Sequence, residues 1–384
     1  MNVLFLSSWY PTEKNPNFGV FVKEHARSVK QAGNQIVVIA LVLRKNKKIF
    51  HFKKTDFRDE NGVRTITLEI ESVFKNFFYY LTSFQYIFIK RSTKQLIKSG
   101  FRPELIHSNV VFSAGIMGSR LADRYHLPHV ITEHWSRIAG ILEKPIIGRQ
   151  VINAYKKADK ILPVSAFLQN KITTLLPQID VNKFVSVGNI VDSETFIYRD
   201  KVTQQQQIHF CAIATWAYKK TPDKLPELFI EALSAFKKKS NKSIVLTMIG
   251  GGDRLNDLKE LCSKNELEAY FTGYIPKKLI AEHLQQADYL VHASTIETFG
   301  VVVAEALLSG TPVICSKVGA LPELINDSNG ILCNNDLKSW EAGLNALLNK
   351  IFDNKKIAND MKQRFGIESI GNKINAIYNS IAHN

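Results

Sequence analysis

The sequence has few cysteines, no cysteine pair at metal-binding spacing and no long apolar run. Its four cysteines among 384 residues form no C-x-x-C pair, which excludes the common zinc modules and a disulfide-stapled secreted domain. No stretch reaches the roughly 18 apolar residues of a membrane-spanning helix, and the first residues lack the basic start of a signal peptide. We therefore expect a cytoplasmic protein, or one on the inner face of the plasma membrane.

Acidic residues are scarce in the first half of the chain. Residues 1–200 contain 29 Lys and Arg against 16 Asp and Glu, whereas residues 201–384 contain 21 against 19. A strongly basic half beside a nearly neutral half indicates that the first half meets something anionic. Nucleic acid, acidic lipid and a phosphate-bearing substrate all fit this charge.

Two successive alternations of strand and helix patterns run along the chain. The first opens with an apolar run at 3–8, a helical pattern at 21–33 and a strand pattern at 35–43, which together predict a βαβ unit with parallel strands. Strand patterns continue to 184–189, a polar segment without periodicity occupies 192–207, and the alternation then restarts. This organisation predicts an α/β protein with two doubly wound Rossmann-like domains that face each other across a ligand-binding cleft.

We place the N-terminal domain at residues 1–188 and the C-terminal domain at 189–365. A final helix at about 366–384 is expected to pack back on the first domain.

Two glutamates interrupt an apolar stretch at 292–316, where a carboxylate needs a partner or access to water. Gly300 and Gly310 bracket a predicted helix, so Glu297 lies on the loop before it and Glu305 lies within it. The free amides at such a helix start bind anions such as a diphosphate. Glu297 can accept hydrogen bonds from sugar hydroxyls, or it can merely stabilise the helix dipole while Glu305 is exposed to solvent.

The stretch "ETFGVVVAEALLSGTPVICSKVGALPELI" (297–325) resembles the E-x7-E signature of retaining family-4 glycosyltransferases with the GT-B fold. Segment 7–33 is similar to the first strand, Gly-rich loop and helix of that family. Further segments match in the family's order: 164–172, 187–196, 248–261, 270–294 and 329–333.

The resemblance covers nearly the whole chain and implies transfer of a sugar from a nucleotide diphosphate sugar, with retention of configuration. It implies no cofactor and no metal, which agrees with the lack of a D-x-D motif. The expected acceptor is a lipid-linked glycan or a surface polysaccharide such as capsule or lipopolysaccharide.

The resemblance also implies that the first domain binds the acceptor and the second binds the donor, and it implies roles for residues of the second domain. Glu297 would contact the hydroxyls of the donor sugar, and Glu305 would bind the ribose. The other donor contacts it implies are the amides of Phe299, Gly300 and Val301 on the sugar and diphosphate, and Tyr274 and Ile275 beside the base.

In the first domain, the resemblance implies that Gly19 approaches the diphosphate and His134 reaches the donor sugar. Without the resemblance, His134 would be interpreted as a buried histidine with a backbone partner. The family's arginine falls at Ala214–Trp216, where this chain has none. Its lysine corresponds to Lys219 or Lys220, and we favour Lys220. Glu297, His134 and Lys220 would then be the catalytic residues, with the cation stabilising the leaving diphosphate.

Segment 74–98 has aromatic residues at helical spacing and basic residues after them. It predicts either a membrane-surface helix that presents a lipid-linked acceptor or a helix packed on the first sheet. The basic segment 44–58 could meet anionic phospholipid or a lipid diphosphate.

Two other functions fit part of the pattern. One is a nucleotide-sugar epimerase of the non-hydrolysing type, which needs no acceptor. The other is a non-catalytic protein that binds nucleic acid through its basic half. The core-like spacing of the aromatic residues argues against the second, so we expect no nucleic-acid partner.

Overall fold

The computed structural model describes residues 1–15, 18–200, 207–219, 223–240 and 242–382. The chain divides into two compact units, which we name unit 1 (residues 1–190 and 367–384) and unit 2 (residues 191–366). Each unit contains a sheet of mainly parallel strands connected by helices, which confirms the predicted α/β class.

The sheet of unit 1 has seven strands among the residues described: β1 (Asn2–Ser7), β2 (Gln35–Lys45), β3 (His51–Arg58), β4 (Arg64–Ser72), β5 (Leu105–Asn109), β6 (His129–Glu133) and β7 (Lys160–Pro163). Their order in space is β3-β4-β2-β1-β5-β6-β7. Among the described strands of this sheet, β3 and β4 are the one antiparallel pair. Without β3, the order is the 3-2-1-4-5-6 arrangement of dinucleotide-binding Rossmann folds.

The helices of the first part of unit 1 follow its strands: α1 (Val20–Gln31), α2 (Lys75–Tyr80), α3 (Thr82–Lys98), α4 (Ile116–Tyr125), α5 (Ala139–Leu142), α6 (Pro145–Lys157) and α7 (Ala166–Leu175). Strand β1 is buried from Val3 to Ser7, as expected for a parallel strand that is covered on both faces. On one face, Leu4 and Leu6 pack with Ile89 of α3 and Met117 of α4.

The sheet of unit 2 has six described strands: β8 (Ile208–Ile213), β9 (Ile244–Ile249), β10 (Glu268–Gly273), β11 (Tyr289–His292), β12 (Val313–Ser316) and β13 (Gly330–Cys333). All its pairs are parallel, and the order β10-β9-β8-β11-β12-β13 is again 3-2-1-4-5-6. The helices of unit 2 are α8 (Pro226–Ser240), α9 (Leu255–Lys264), α10 (Lys277–Gln286), α11 (Val301–Leu308), α12 (Leu321–Leu324), α13 (Leu337–Leu348) and α14 (Asn354–Phe365).

The last helix, α15 (Ile367–Ala382), belongs to unit 1 and packs on α1. The Ser28 hydroxyl donates to the Ile367 carbonyl at 2.6 Å, and the Tyr378 hydroxyl is hydrogen-bonded to Nδ1 of His107 on β5. Gly371 passes so close to Ser28 that a Cβ there would lie 2.5 Å from the Ser28 carbonyl oxygen. The contact therefore depends on a residue without a side chain.

Two local predictions are wrong. Segment 184–189 is not a strand; it forms one bridge, between Phe184 and Ile161. Segment 74–98 is not one helix but two, α2 and α3, which meet at Leu81. The basic segment 44–58 includes the edge strand β3, and its contact with anionic lipid stays a prediction.

Candidate functional site

Parallel sheets of this order bind ligands beyond the carboxyl ends of the strands, at the point where the strand order reverses. In unit 2 this point lies between β8 and β11. Strand β11 ends at His292. Just after it, Ser294 forms an isolated antiparallel bridge with Lys224, which lies shortly before α8. This arrangement brings together residues about 70 positions apart in the sequence.

Glu297 lies on the loop that follows β11 and has two hydrogen-bond donors. Its Oε1 accepts a hydrogen bond from Lys224 Nζ and one from His292 Nε2 at 2.8 Å. Because His292 donates through Nε2, the neutral ring carries its proton on that nitrogen. The Glu297 side chain is 15% exposed, so the protein does not enclose it fully.

These contacts keep Glu297 ionised. Burial alone would raise its pKa, but the hydrogen bond with His292 and the charge of Lys224 hold the pKa at about 2. Burial, together with the charge of Lys224, lowers the pKa of His292. The group at this position is therefore a carboxylate supported by one ammonium and one neutral imidazole.

The backbone of Glu297 is fixed from the other side. The Ala320 amide donates to the Glu297 carbonyl at 3.0 Å. Gly319 has a φ of 55°, and a Cβ there would overlap the Glu297 carbonyl oxygen. Only glycine combines this conformation with this close approach.

Helix α11 begins directly after this loop, at a glycine. Gly300 adopts the left-handed conformation with a φ of 92°, and the first amide to bond back is that of Ala304, to the Gly300 carbonyl at 3.0 Å. The amides before Ala304 have no carbonyl of the helix to bond. Phe299 is buried and packs on Phe365 at 5.0 Å, so only its main chain is available to a ligand. Glu305 lies in the second turn of α11, as predicted.

Tyr274 and Ile275 follow the carboxyl end of β10. Tyr274 is 64% exposed, and its ring lies directly against Gly251 in the loop after β9, where a Cβ would overlap the ring. Gly250 and Gly252 lie against the main chain of Ala214 and Trp216 in the same way. These glycines allow the loops after β8, β9 and β10 to pack closely.

The cation at Glu297 is one that the sequence reasoning missed. Lys219 forms an ion pair with Asp223 at 2.5 Å, and Lys220 lies outside the residues that the structure describes. Lys224, which contacts Glu297, was not among the predicted residues. A signal was available, because Lys224 is the last cation before the start of α8 at Pro226.

The other predicted residues lie in unit 1. Gly19 caps α1 with a φ of 74°, and a Cβ there would overlap the Trp9 carbonyl, so the loop itself already requires glycine. His134 is buried; its Nε2 is 3.3 Å from Asn109 Oδ1, and its ring lies 4.5 Å from that of Phe21. Burial holds its pKa well below the usual range. The roles of both residues toward a donor stay predictions.

Two family models match the chain. Glycosyltransferase Family 4 matches residues 18–195, and Glycosyl transferases group 1 matches residues 217–365. The first covers most of unit 1 and the second most of unit 2.

The chain is also similar to individual glycosyltransferases. It is 28% identical over 242 residues to an uncharacterised glycosyltransferase of Methanocaldococcus jannaschii, an alignment that spans 61% of this chain and 63% of the relative. It is 23% identical to the alpha-monoglucosyldiacylglycerol synthase of Streptococcus pneumoniae, over 73% of this chain and 67% of the relative. A putative teichuronic acid biosynthesis glycosyltransferase of Bacillus subtilis is 24% identical, over 86% and 85%.

Solved structures share the fold over the full length. HepE of Anabaena in complex with UDP superposes with a TM-score of 0.74 at 16% identity, over 99% of this chain and 100% of that one. Sucrose-phosphate synthase of Thermosynechococcus elongatus gives 0.72 at 16% identity, over 99% of both chains. The chain belongs to the family-4 glycosyltransferases and has the GT-B fold.

Proposed function

We propose that the protein is a retaining, metal-independent glycosyltransferase that moves a sugar from a nucleotide diphosphate sugar to a polysaccharide or lipid-linked glycan. The observation that carries the proposal is the ionised Glu297 at the strand-order reversal of unit 2, directly before the free amides of α11. Relatives named for glucosyldiacylglycerol and teichuronic acid synthesis support a glycolipid or surface-polysaccharide product. HepE, solved with UDP-glucose, supports a nucleotide-sugar donor.

The donor is held through its sugar, diphosphate and nucleoside. Glu297 accepts hydrogen bonds from the sugar hydroxyls, and the amides of Phe299, Gly300 and Val301 bind the diphosphate, where the helix dipole favours an anion. The nucleoside contacts at the other end of the donor are Glu305 on the ribose and Tyr274 and Ile275 beside the base.

The reaction breaks the bond from the anomeric carbon to the diphosphate oxygen and forms one to the acceptor oxygen. The proton of the acceptor hydroxyl passes to the departing diphosphate, on the same face of the sugar, so no protein nucleophile is needed. Lys224 stands beside Glu297, and its ammonium stabilises the charge that develops on the leaving group. We assign to Lys224 the role that the sequence suggested for Lys220, and we propose no cofactor.

A screen of nucleotide sugars tests this function. We expect slow hydrolysis of the correct donor without acceptor, and a thermal shift with the matching nucleoside diphosphate, because a ligand of the folded state stabilises it. Glu297→Gln should lower turnover by roughly 10- to 100-fold, since it removes a charged hydrogen-bond acceptor. Glu282→Gln, in α10 of the same unit, is the matched control.

Other outcomes identify the alternatives. Epimerisation of the donor without transfer to any acceptor would favour the epimerase. Salt-sensitive binding of nucleic acid without any nucleotide-diphosphate shift would favour the non-catalytic function. Normal turnover of the Glu297→Gln variant would remove that residue from the site.

We also propose that unit 1 works at the inner face of the plasma membrane. No described helix has the length and apolar character needed to cross a bilayer, so contact would be made at the surface. We define the α2 patch as the exposed residues Ile49, Val73, Phe74 and Phe77, with Lys47 and Lys48 beside them. The patch comes from two segments, 47–49 and 73–77, which are joined by a hydrogen bond from the Val73 amide to the Lys48 carbonyl at 2.8 Å.

The segment that suggested a membrane helix divides into two parts. Helix α3 packs on the sheet through Ile89 and Leu96, whereas α2 buries no residue. Apolar side chains with lysines beside them match the surface of an anionic bilayer.

Sedimentation with phosphatidylglycerol vesicles tests the patch. We expect Phe74→Ser with Phe77→Ser to reduce binding at least tenfold, because each phenylalanine contributes apolar burial in the lipid. Ile351→Ser in unit 2, which is 98% exposed, should bind as wild type does. Equal binding of both variants would contradict the proposal.

A further inference from the structure

Unit 1 contains a cavity that the proposed donor site does not use. Its volume is about 820 Å³, and it lies beyond the carboxyl ends of β1, β2 and β4, with α2 along one side. A volume of this size fits a small molecule rather than a folded partner. The cavity lies beyond the carboxyl ends of parallel strands, the side of the sheet on which this fold class binds ligands.

Positive charge dominates the cavity wall. The charged residues that line it are Lys14, Arg44, Lys45, Lys75 and Glu71. Glu71 is already bound by Lys14 at 2.5 Å and by the Asn46 amide, and these hydrogen bonds lower its pKa.

Two of these cations have no acidic partner among the residues that the structure describes. Arg44 lies 3.3 Å from Glu69, whereas Lys45 and Lys75 form no ion pair with any residue for which the structure gives a position. Lys45 is the last residue of β2, and Lys75 is the first residue of α2. The wall thus offers two unneutralised ammonium groups to a ligand in the cavity.

Aromatic side chains form much of the remaining wall. Trp9, Phe18, Tyr79 and Tyr80 all line the cavity. Trp9 and Phe18 are 6.1 Å apart, and Tyr79 packs edge-on against Phe112 at 4.9 Å, so these rings are held in place by neighbours. Rigid aromatic faces present a negative surface to the C–H groups of a sugar ring.

We infer that this cavity binds a saccharide that carries a negative charge, a phosphate or a carboxylate, through Lys45 and Lys75. The inference rests on the proposed function, since it names the class of acceptor for that transferase. Free phosphate would use the lysines without the aromatic wall, and a neutral sugar would use the wall without the lysines. A charged saccharide uses both.

The test is a ligand-observed NMR titration of the full chain, which needs no donor and no turnover. The probes are glucose, glucose 6-phosphate, glucuronate and inorganic phosphate. We expect the two charged sugars to bind at least tenfold more tightly than glucose or phosphate, and this preference to shrink as salt is added. Lys45→Gln with Lys75→Gln should remove most of the preference.

A matched control keeps the net charge equal. Lys94→Gln with Lys98→Gln changes two exposed lysines of α3 that do not line the cavity, and it should retain the preference. Equal affinity for glucose and its charged forms would overturn the inference, as would equal affinity for phosphate and glucose 6-phosphate. A preference that survives in the Lys45/Lys75 variant would also overturn it.

The two proposals fail separately. Donor hydrolysis without selective binding of charged sugars would reject only the cavity inference. Selective binding without turnover of any nucleotide sugar would reject only the transferase.

Discussion

Units 1 and 2 have the same core strand order but differ in the side chains near the point where that order reverses: unit 2 has charged groups there, and unit 1 has neutral ones. In unit 2 the residues there are an ionised glutamate, Glu297, and the ammonium of Lys224. In unit 1 they are buried histidines, His25 and His134, whose rings meet edge-to-face at 5.3 Å. Burial lowers the pKa of both. The comparison teaches that strand order sets where a ligand can bind, while the side chains at that point decide its charge.

The largest expected difference between the units is in how much folding stability each loses as the pH falls. Burial lowers the pKa of His25 to about 4 and that of His129 to about 3. The unfolded chain therefore binds these protons from about pH 6.5 downward, while the folded chain does not, so stability is present above pH 6.5 and is lost as pH falls toward 4. Between pH 6.5 and 4.5 these two residues should cost unit 1 roughly 5 kcal/mol.

Glu297 also makes the protein less stable as the pH falls, but over a lower pH range. Its pKa is depressed from 4.5 to about 2, so its contribution is present above pH 4.5 and is lost between pH 4.5 and 2. Hydrogen exchange at pH 7, 4.5 and 2.5, corrected for intrinsic rates, should show protection lost in β1 and β5 by pH 4.5 and in β8 and β11 only at pH 2.5. Loss of protection in both sheets at the same pH would contradict the proposed difference between the units.

The next effect concerns the glycines near the two sites. Gly19→Ala and Gly319→Ala each add a Cβ that overlaps a backbone carbonyl, at a φ that disfavours alanine. We expect each to lower the free energy of unfolding by roughly 2–5 kcal/mol. Gly33→Ala is the matched control, because its φ is 92° but no atom lies within 4 Å. It should cost only about 1 kcal/mol in chemical denaturation, and an equal cost at all three positions would contradict the packing argument.

Lys224→Met should have a smaller effect on stability and a clear one on activity. It leaves the partly buried Glu297 carboxylate with His292 alone, which should cost about 1–3 kcal/mol. It should also raise the pKa of Glu297 and reduce donor hydrolysis more than Lys220→Met does. If Lys220→Met has the larger effect on hydrolysis, the original interpretation of the sequence was right and Lys224 only supports Glu297.

The smallest effect is expected for Lys219→Met. Its ion pair with Asp223 joins residues four apart, and the lysine side chain is 47% exposed. Such pairs contribute at most about 0.5 kcal/mol, so the melting temperature should hardly change. A loss comparable to that of Lys224→Met would show that the two lysines act as one group.

Much of the fold could be predicted because it follows from local patterns. The βαβ alternation, the helix between Gly300 and Gly310, and the loop position of Glu297 all come from apolar periodicity and glycine. Strand β3 could not be found in this way, because an edge strand with mostly exposed side chains needs no apolar alternation.

The candidate site was predictable only in part. The sequence singled out Glu297 but not its partners. Lys224 reaches it across 73 residues of chain, and His292, only five residues away, is brought to it by the turn of the loop after β11. The buried histidines of unit 1 were equally hidden. Only His134 was singled out, through a motif, because burial by neighbouring strands leaves no trace in local spacing.

The return of α15 to unit 1 reverses the order in which the two units can be completed during synthesis. Unit 2 has all of its residues once position 366 has left the ribosome, whereas unit 1 still lacks residues 367–382. Until then, the hydroxyl partner of His107 and the helix that covers Ser28 are missing. Unit 1 is therefore synthesised first but completed last. The surface of α1 that α15 covers stays exposed on the nascent chain while unit 2 folds.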